Sequence, residues 1–147
     1  VILIMTSNAG AQYASQASVG FGGGVSRGEA MLAQVKKTFK PEFINRLSDT
    51  VVFNDMDKHM AELILGKKLR QLDQKLAAKN VTIKLTDAAH EQLLKWGFTK
   101  EYGAREMDRV IGNRLKPVLM KAILFGKLKK GGKATVDFDG KELVIRE

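Results

Sequence analysis

Residues Lys133–Glu147 read KATVDFDGKELVIRE, with two alternating segments on either side of Asp139-Gly140. Alternation of apolar and polar residues is typical of a strand with one buried face. Asp-Gly is one of the strongest sequence signals for a tight turn between two such strands. The stretch therefore predicts a β-hairpin.

A third strand and a capped helix are predicted upstream of the hairpin. VTIKL, residues 81–85, alternates and is rich in β-branched residues, which is typical of a strand. Thr86 follows directly and is a suitable N-cap for a helix over DAAHEQLLKW. Gly97 is expected to end that helix, since glycine is favoured just past a helix terminus.

Two longer helices complete this half of the chain. The first is predicted from about Asp57 to Lys79, because leucines recur along it at the spacing of one helical face. These leucines are Leu65, Leu69, Leu72 and Leu76. The second covers about Ala104 to Leu124 and is expected to kink or break at Pro117, which lacks the N–H for an internal hydrogen bond. The predicted fold class is α+β, with helices packed on a three-stranded sheet.

The first third of the chain has a different pattern. VILIMTS, residues 1–7, is a continuous apolar run of the kind found in a strand buried on both faces, and TVVF, residues 50–53, is a short strand candidate. Between them, GEAMLAQVKKTF has helical spacing, and Pro41 opens a second short helix, PEFINRLSD. Because the chain begins inside an apolar run, we expect it to start part-way through a larger domain.

Composition excludes several classes of protein. The 147 residues are 44% hydrophobic and 28% charged, which is typical of a globular domain. There is no cysteine, so disulfides and thiolate metal sites are excluded, in keeping with a cytoplasmic location. His59 and His90 have no second ligand at metal spacing, so no metal site is predicted. No apolar run is long enough to cross a membrane.

The net charge of +9 permits binding to nucleic acid or to a membrane surface. However, the lysines are dispersed along the sequence, and aromatic residues are not interleaved with them as a single-strand binding surface requires. We therefore interpret the charge as solvated helix faces and turns, and expect neither a nucleic-acid nor a membrane partner.

Three motifs occur in a specific order: TSNAG after the first apolar run, PEFINRL on a short helix, and GAREM at the start of a later helix. With their flanking residues they resemble the C-terminal ATPase module of the Clp/Hsp100 unfoldases, a branch of the AAA+ superfamily. The resemblance covers nearly the whole chain. It implies that residues 1–53 are the end of an AAA+ α/β large subdomain and that residues 54–147 are the small subdomain.

The resemblance assigns roles to three polar residues. Asn8 matches the sensor 1 position, which helps to orient the attacking water beside the γ-phosphate. Arg46 matches the arginine finger, which reaches the nucleotide of a neighbouring subunit in a hexamer. Arg105 matches the sensor 2 arginine, which contacts the nucleotide of its own subunit. Charge spreads over the γ-phosphoryl oxygens in the transition state, so cationic side chains at these places favour the reaction.

The stretch ASQASVGFGGGVSRGE, residues 14–29, places apolar side chains among glycines. In the Clp unfoldases that work with a peptidase, a loop at this place carries a tripeptide that docks on the ClpP ring. Val19, Gly20 and Phe21 match that tripeptide, and several weak contacts of this kind gain strength together. The tripeptide favours a ClpA-type or ClpC-type protein, and the short segment after the hairpin favours ClpA.

Other family features are missing or altered. The sequence contains no G-x-x-x-x-G-K-[ST] phosphate loop and no apolar strand that ends in paired acidic residues to hold Mg²⁺. The resemblance implies ATP or ADP with Mg²⁺ in a full-length ATPase, whereas this stretch alone is not expected to hydrolyse ATP or to bind nucleotide tightly. Glu106 follows Arg105 where the family often has proline. After the arginine finger the family commonly reads Arg-Leu/Ile-Asp, whereas here Ser48 stands between Leu47 and Asp49.

Three alternatives remain open. A ClpB-type disaggregase shares most of these motifs but lacks the docking tripeptide. A stand-alone module that binds a peptidase without ATPase activity also fits an exposed apolar loop. A small basic nucleic-acid-binding domain would bind with a strong dependence on salt.

Overall fold

The computed structural model describes residues 1–11, 27–99 and 102–146. The chain divides into two compact units, Val1–Asn54 and Asp55–Glu147. None of the helices in the described ranges is long and apolar enough to cross a membrane.

Within residues 27–54, the first unit has the helices α1 (Arg27–Thr38) and α2 (Pro41–Arg46). Pro41 occupies the first turn of α2, where its missing N–H costs nothing because that group has no partner inside a helix. Both helices were predicted from the sequence and are confirmed.

The two strands predicted in the first unit are not present. Residues 1–8 and 50–54 have no regular secondary structure, and the side chains of Val1 to Ile4 are at least 77% exposed. A strand needs a neighbour to pair its N–H and C=O groups, and the described residues of this unit contain no strand. The prediction of a buried strand over residues 1–7 is therefore wrong.

The second unit begins with α3 (Lys58–Ala77), where the sequence predicted a helix from about Asp57 to Lys79. Asp57 is the N-cap, and its carboxylate accepts a hydrogen bond of 2.8 Å from the Met60 N–H. The helix buries one face against the rest of the unit, through Ala61, Leu65, Leu72 and Leu76. Leu69 is only half-buried.

Strand β1 (Val81–Leu85) and helix α4 (Asp87–Gly97) follow as predicted. The Thr86 hydroxyl caps α4 by accepting a hydrogen bond of 3.2 Å from the Ala89 N–H. The N-cap and the end of α4 at Gly97 are both confirmed.

The predicted helix over residues 104–124 is divided into segments. The structure has α5 (Met107–Val110), a π-helical turn (Ile111–Leu115) and α6 (Lys116–Phe125), followed by a short 3₁₀ segment (Lys127–Lys130). Pro117 cannot donate to the carbonyl one turn earlier, and the irregular turn lies at that place rather than at the proline itself.

Strands β2 (Gly132–Phe138) and β3 (Leu143–Arg146) form the predicted hairpin around Asp139-Gly140. The sheet order is β1-β2-β3, with β1 parallel to β2 and β2 antiparallel to β3. One face of this sheet packs on the helices, since Val81, Ile83, Ala134 and Val136 are buried. The α+β class with helices on a three-stranded sheet is confirmed.

A polar network joins the sheet to the start of α4. The Thr86 hydroxyl donates to the Asp137 carboxylate at 2.7 Å, and the Arg146 guanidinium lies 2.7 Å from the same carboxylate. The hydrogen bond from Thr86, a second from the Phe138 N–H and the charge of Arg146 together hold the pKa of Asp137 below its ordinary value of 3.8.

We expect Asp137→Asn to remove part of the acid sensitivity of folding. Because the pKa of Asp137 is lowered by folding, its ionised form stabilises the protein above pH 3.8, and this contribution is lost as pH falls through the lower, folded pKa. The free energy of unfolding, measured in urea by Trp96 fluorescence, should differ between wild type and variant at neutral pH and converge in acid. Asp139, whose pKa is also lowered, remains in both proteins. A difference that is constant with pH would contradict the assignment.

Candidate functional site

Arg105 lies in the turn that precedes α5, and its side chain is exposed. Its backbone N–H makes only a long contact of 3.4 Å with the Tyr102 C=O. Among the described residues, no hydrogen bond or ion pair engages the Arg105 guanidinium. A fixed backbone with an unengaged guanidinium is chemically suited to bind an anion such as a phosphate, which Arg contacts with paired N–H groups.

A small loop ahead of Arg105 closes on itself. Thr99 and Gly103 exchange two backbone hydrogen bonds, of 3.0 and 2.8 Å, and the Thr99 hydroxyl accepts a third from the Tyr102 N–H at 3.1 Å. Gly103 has φ of +61°, a conformation that favours glycine. The glycine of the GAR motif therefore allows the turn that delivers Arg105 to the start of α5.

Packing of Met107 on Gly97 fixes the position of α5. Met107 is fully buried, and a Cβ added to Gly97 would lie 2.5 Å from the Met107 Sδ and 3.1 Å from its Cα. Only glycine at the end of α4 leaves room for this side chain. Gly97 therefore allows the first turn of α5 to pack against the core. This packing also fixes the position of the backbone at Arg105, whose side chain is exposed.

Ion pairs engage the neighbouring charged residues of α5 and leave Arg105 out. Glu106, which follows Arg105 in place of the family's proline, pairs with Arg109 at 3.3 Å. Asp108 pairs with Lys68 of α3 at 2.9 Å. Exposed pairs of this kind contribute about 0–1 kcal/mol each. Their effect here is on which groups pair: the Glu106 carboxylate is engaged by Arg109 and not by Arg105.

Asn8 and Arg46 lie in the first unit, whereas Arg105 lies in the second. Asn8 is exposed, and its backbone C=O accepts a hydrogen bond of 3.1 Å from the Ala11 N–H. Arg46 is the last residue of α2 and is exposed, and none of the described residues hydrogen-bonds or pairs with its guanidinium. Asn8 and Arg46 therefore share a unit without a hydrogen bond or ion pair between them among the described residues, and Arg105 belongs to the other unit.

Val19, Gly20 and Phe21, the predicted docking tripeptide, lie outside the described residues. His59 is exposed on α3 and His90 is half-buried on α4. Across the described ranges, no group of three or more His, Cys, Asp or Glu side chains could hold a metal ion.

Sequence analysis missed an aromatic cleft beside α4. The cleft has a volume of about 530 Å³ and is lined by residues of α4, by Lys58, by Phe98 and by Phe138. Behind the lining residue Phe138, the Trp96 ring contacts it edge-on with centroids 5.6 Å apart, and the Arg114 guanidinium carbon lies 5.0 Å from the Trp96 ring centroid. These residues come from separate elements with no shared spacing, so no sequence pattern marks the cleft.

Comparison with known proteins identifies the second unit. A family model described as the C-terminal, D2-small domain, of ClpB protein matches residues 56–136, just over half of the chain. The matched range begins just before α3 and ends within β2, so it includes Arg105 and the elements that position it.

Relatives extend the match to the first unit. The chain is 39% identical over 149 residues to the ATP-dependent Clp protease ATP-binding subunit ClpC of Staphylococcus aureus (strain USA300), a match covering 96% of this chain and 18% of that protein. Identity to ClpC of Staphylococcus epidermidis (strain ATCC 12228 / FDA PCI 1200) is 37% over the same length. The chain therefore spans less than a fifth of the length of these curated relatives.

Proposed function

The chain belongs to the Clp/Hsp100 family and contains its C-terminal D2-small domain, and from this we propose that it is the nucleotide-sensing and subunit-coupling part of an ATP-dependent Clp unfoldase. Residues 1–53 are the end of the AAA+ large subdomain and residues 54–147 the small subdomain. The full-length protein hydrolyses ATP with Mg²⁺, unfolds protein substrates and delivers them to the ClpP peptidase.

The exposed, unengaged Arg105 guanidinium at the start of α5 is the observation that carries this proposal. Its chemistry fits a phosphate group, since a guanidinium donates paired hydrogen bonds to phosphate oxygens. Arg105 is anchored to the small unit through the Gly97–Met107 contact. A phosphate bound by Arg105 therefore exerts force on the whole unit, which couples nucleotide state to the position of the small subdomain.

Asn8 and Arg46, which belong to the first unit, also act on nucleotide in this proposal. The exposed Asn8 side chain orients the attacking water, and Arg46 at the end of α2 reaches the nucleotide of the adjacent subunit in a homo-hexamer. An arginine finger stabilises the charge that develops on the transferring phosphoryl group. Activity then depends on assembly, because each site is completed by its neighbour.

Exposed apolar side chains on α6 support such an assembly. Met120, Leu124 and Phe125 are 57%, 53% and 86% exposed. Met and Phe are enriched at protein interfaces, and exposed groups of large apolar residues often mark them. We assign this strip to contact with the adjacent subunit of the hexamer.

Val19, Gly20 and Phe21 dock on ClpP in this proposal. The sequence favoured a ClpA-type protein. The relatives reported above are ClpC proteins, so a ClpC-type protein fits the proposal equally well. A second candidate is a ClpB-type disaggregase, since the matching family model describes a domain of ClpB. The tripeptide distinguishes the two, because only a peptidase partner gives Phe21 a docking pocket.

A chimera tests the proposal. Residues 1–147 replace the aligned region of Staphylococcus aureus ClpC, and the chimera is assayed for ATP hydrolysis and for degradation of an unfolded protein by ClpP. We expect both activities to be retained.

We expect Arg105→Ala in this chimera to weaken nucleotide binding about tenfold to a hundredfold, because a charge-assisted hydrogen bond is worth about 1.5–3 kcal/mol.

Arg109→Ala is the matched control for that variant. Arg109 lies in α5, four residues after Arg105, is exposed and is already paired with Glu106. Its replacement should leave nucleotide affinity within about twofold, since exposed pairs contribute little. Equal losses for Arg105→Ala and Arg109→Ala would remove the sensing role of Arg105. A chimera that hydrolyses ATP but supports no degradation with ClpP would favour the disaggregase.

A further inference from the structure

Two stretches of the second unit contain basic residues but no acidic ones. Residues 74–86 and 109–136 hold eleven of the 25 lysines and arginines of the chain and neither Asp nor Glu. Most protein surfaces intersperse the two signs of charge. Separation of the signs instead creates a local positive potential that attracts an anionic partner.

Strand pairing brings lysines from both stretches to one side of the sheet. In the parallel pair of β1 and β2, Thr82 is opposite Lys133 and Lys84 is opposite Thr135. Thr82, Lys84 and Lys133 are exposed and Thr135 is half-buried, whereas their neighbours along each strand face the core. The open side of the sheet therefore carries two lysines whose Cα atoms are roughly 8 Å apart, from the strand spacing and the rise of two residues.

A backbone contact adds lysines from the ends of two helical segments. The Gly132 N–H donates to the Asn80 C=O at 2.8 Å, so the turn after α3 lies against the end of the 3₁₀ segment. Lys79 precedes Asn80 in that turn, and Lys129 and Lys130 end the 3₁₀ segment. All three side chains are exposed.

Lys79, Lys84, Lys129, Lys130 and Lys133 together are called the basic patch. Within residues 1–11, 27–99 and 102–146, none of the five forms an ion pair. The patch is therefore a group of five exposed cations, drawn from two stretches of sequence, whose charge is not neutralised inside the described protein.

Helix and sheet stability do not account for the basic patch. The negative end of the α3 dipole favours Lys79, but Lys84 and Lys133 lie on strands, where neighbouring like charges reduce stability. Arg146, on the next strand, does have an acidic partner within the chain, because Asp137 pairs with it at 2.7 Å. Cations kept without such a partner indicate that the anion comes from another molecule.

We propose that the basic patch binds an acidic segment of a partner protein in extended conformation, a function beyond the nucleotide sensing proposed above. Side chains on one face of an extended peptide recur about every 7 Å, close to the spacing of roughly 8 Å between the Cα atoms of Lys84 and Lys133. The hydroxyls of Thr82 and Thr135 alternate with these lysines and donate hydrogen bonds to the same carboxylates.

Nucleic acid is the competing polyanion, and the patch fits it less well. Proteins that bind single strands stack bases on aromatic side chains. Along β1 and the first half of β2, the open side carries only Thr82, Lys84, Lys133 and Thr135. Proteins that recognise duplex DNA by sequence insert a helix or a β-ribbon into a groove. The basic patch instead lies on the face of a sheet and at a turn.

Fluorescence anisotropy of a labelled oligoglutamate peptide, titrated with the 147-residue chain at low salt, tests the proposal. The variant Lys84→Glu/Lys133→Glu reverses the centre of the patch. The matched control Lys67→Glu/Lys95→Glu reverses two exposed lysines on α3 and α4 and gives the same net charge. Circular dichroism and thermal unfolding establish that both variants fold.

We expect the patch variant to weaken peptide binding roughly tenfold or more and the control variant to weaken it less than about threefold, because like charges at a contact repel and distant charges are screened. Equal losses of peptide affinity in the two variants would show that only the net charge of the chain matters, and would overturn the proposal. Failure of wild type to bind the peptide would also overturn it. So would tighter binding of a short DNA duplex than of the peptide, with the same loss in the patch variant, because the occupant would then be nucleic acid.

Discussion

Replacing Arg46 with alanine in the ClpC chimera is expected to lower the ATP turnover rate about a thousandfold or more, while nucleotide still binds. The exposed Arg46 guanidinium ends α2 and has no hydrogen-bond or ion-pair partner among the described residues. Loss of an unpaired surface arginine leaves the fold intact, so the effect should fall on the reaction. Steady-state ATPase kinetics and binding of a fluorescent nucleotide separate the two quantities.

Lys40→Ala provides the control for Arg46→Ala. Lys40 is the exposed residue that precedes Pro41, and its side chain makes no capping hydrogen bond to α2. Its loss should leave turnover within about twofold, as expected for an exposed charge. Turnover unchanged by Arg46→Ala would exclude a catalytic role for Arg46 and would leave Arg105 as the only arginine of the proposed site.

Replacing Leu65 with alanine is expected to lower the free energy of unfolding of the second unit by about 2–5 kcal/mol. Leu65 is 0% exposed in the middle of α3, so its removal leaves a cavity as well as losing buried apolar surface. Urea unfolding followed by the fluorescence of Trp96, the single tryptophan of the chain, reports on this unit. The denaturant dependence should stay the same, because the surface exposed on unfolding hardly changes.

The same substitution two residues earlier is the control. Leu63 lies on the opposite side of α3 and is 59% exposed, so Leu63→Ala should change stability by at most about 0.5 kcal/mol. A similar loss in both variants would show that the loss does not arise from burial of the Leu65 side chain, because alanine forms helix at least as well as leucine. No loss in Leu65→Ala would contradict the burial of that side chain.

Local signals in the sequence were sufficient to predict most elements of the second unit. Asp57 and Thr86 each cap a helix through a side-chain oxygen, and both contacts involve residues only three positions away. Asp139-Gly140 likewise specifies its turn from neighbouring residues. Interactions of this range are encoded within one short stretch, so they can be predicted without knowledge of the rest of the fold.

Prediction failed where the deciding partner lies far away in sequence. The apolar run of residues 1–7 was predicted to be a strand, but a strand needs a neighbouring strand to pair with, and the described part of its unit has none. Pro117 was expected to break its helix, but the distortion is taken up by the π-helical turn over Ile111–Leu115, whose Leu115 and Ile111 are buried in the core.

By itself, the sequence determined the family of this protein and the order of most helices and strands of its second unit, and it predicted which arginines bind phosphate. Only the tertiary structure decided that Gly97 makes room for Met107, that Glu106 bonds to Arg109 and leaves Arg105 unengaged, and that lysines from two distant stretches meet on one side of the sheet. Caps, turns and helical faces depend on neighbours in the chain, whereas close packing and charge convergence depend on residues that only folding brings into contact.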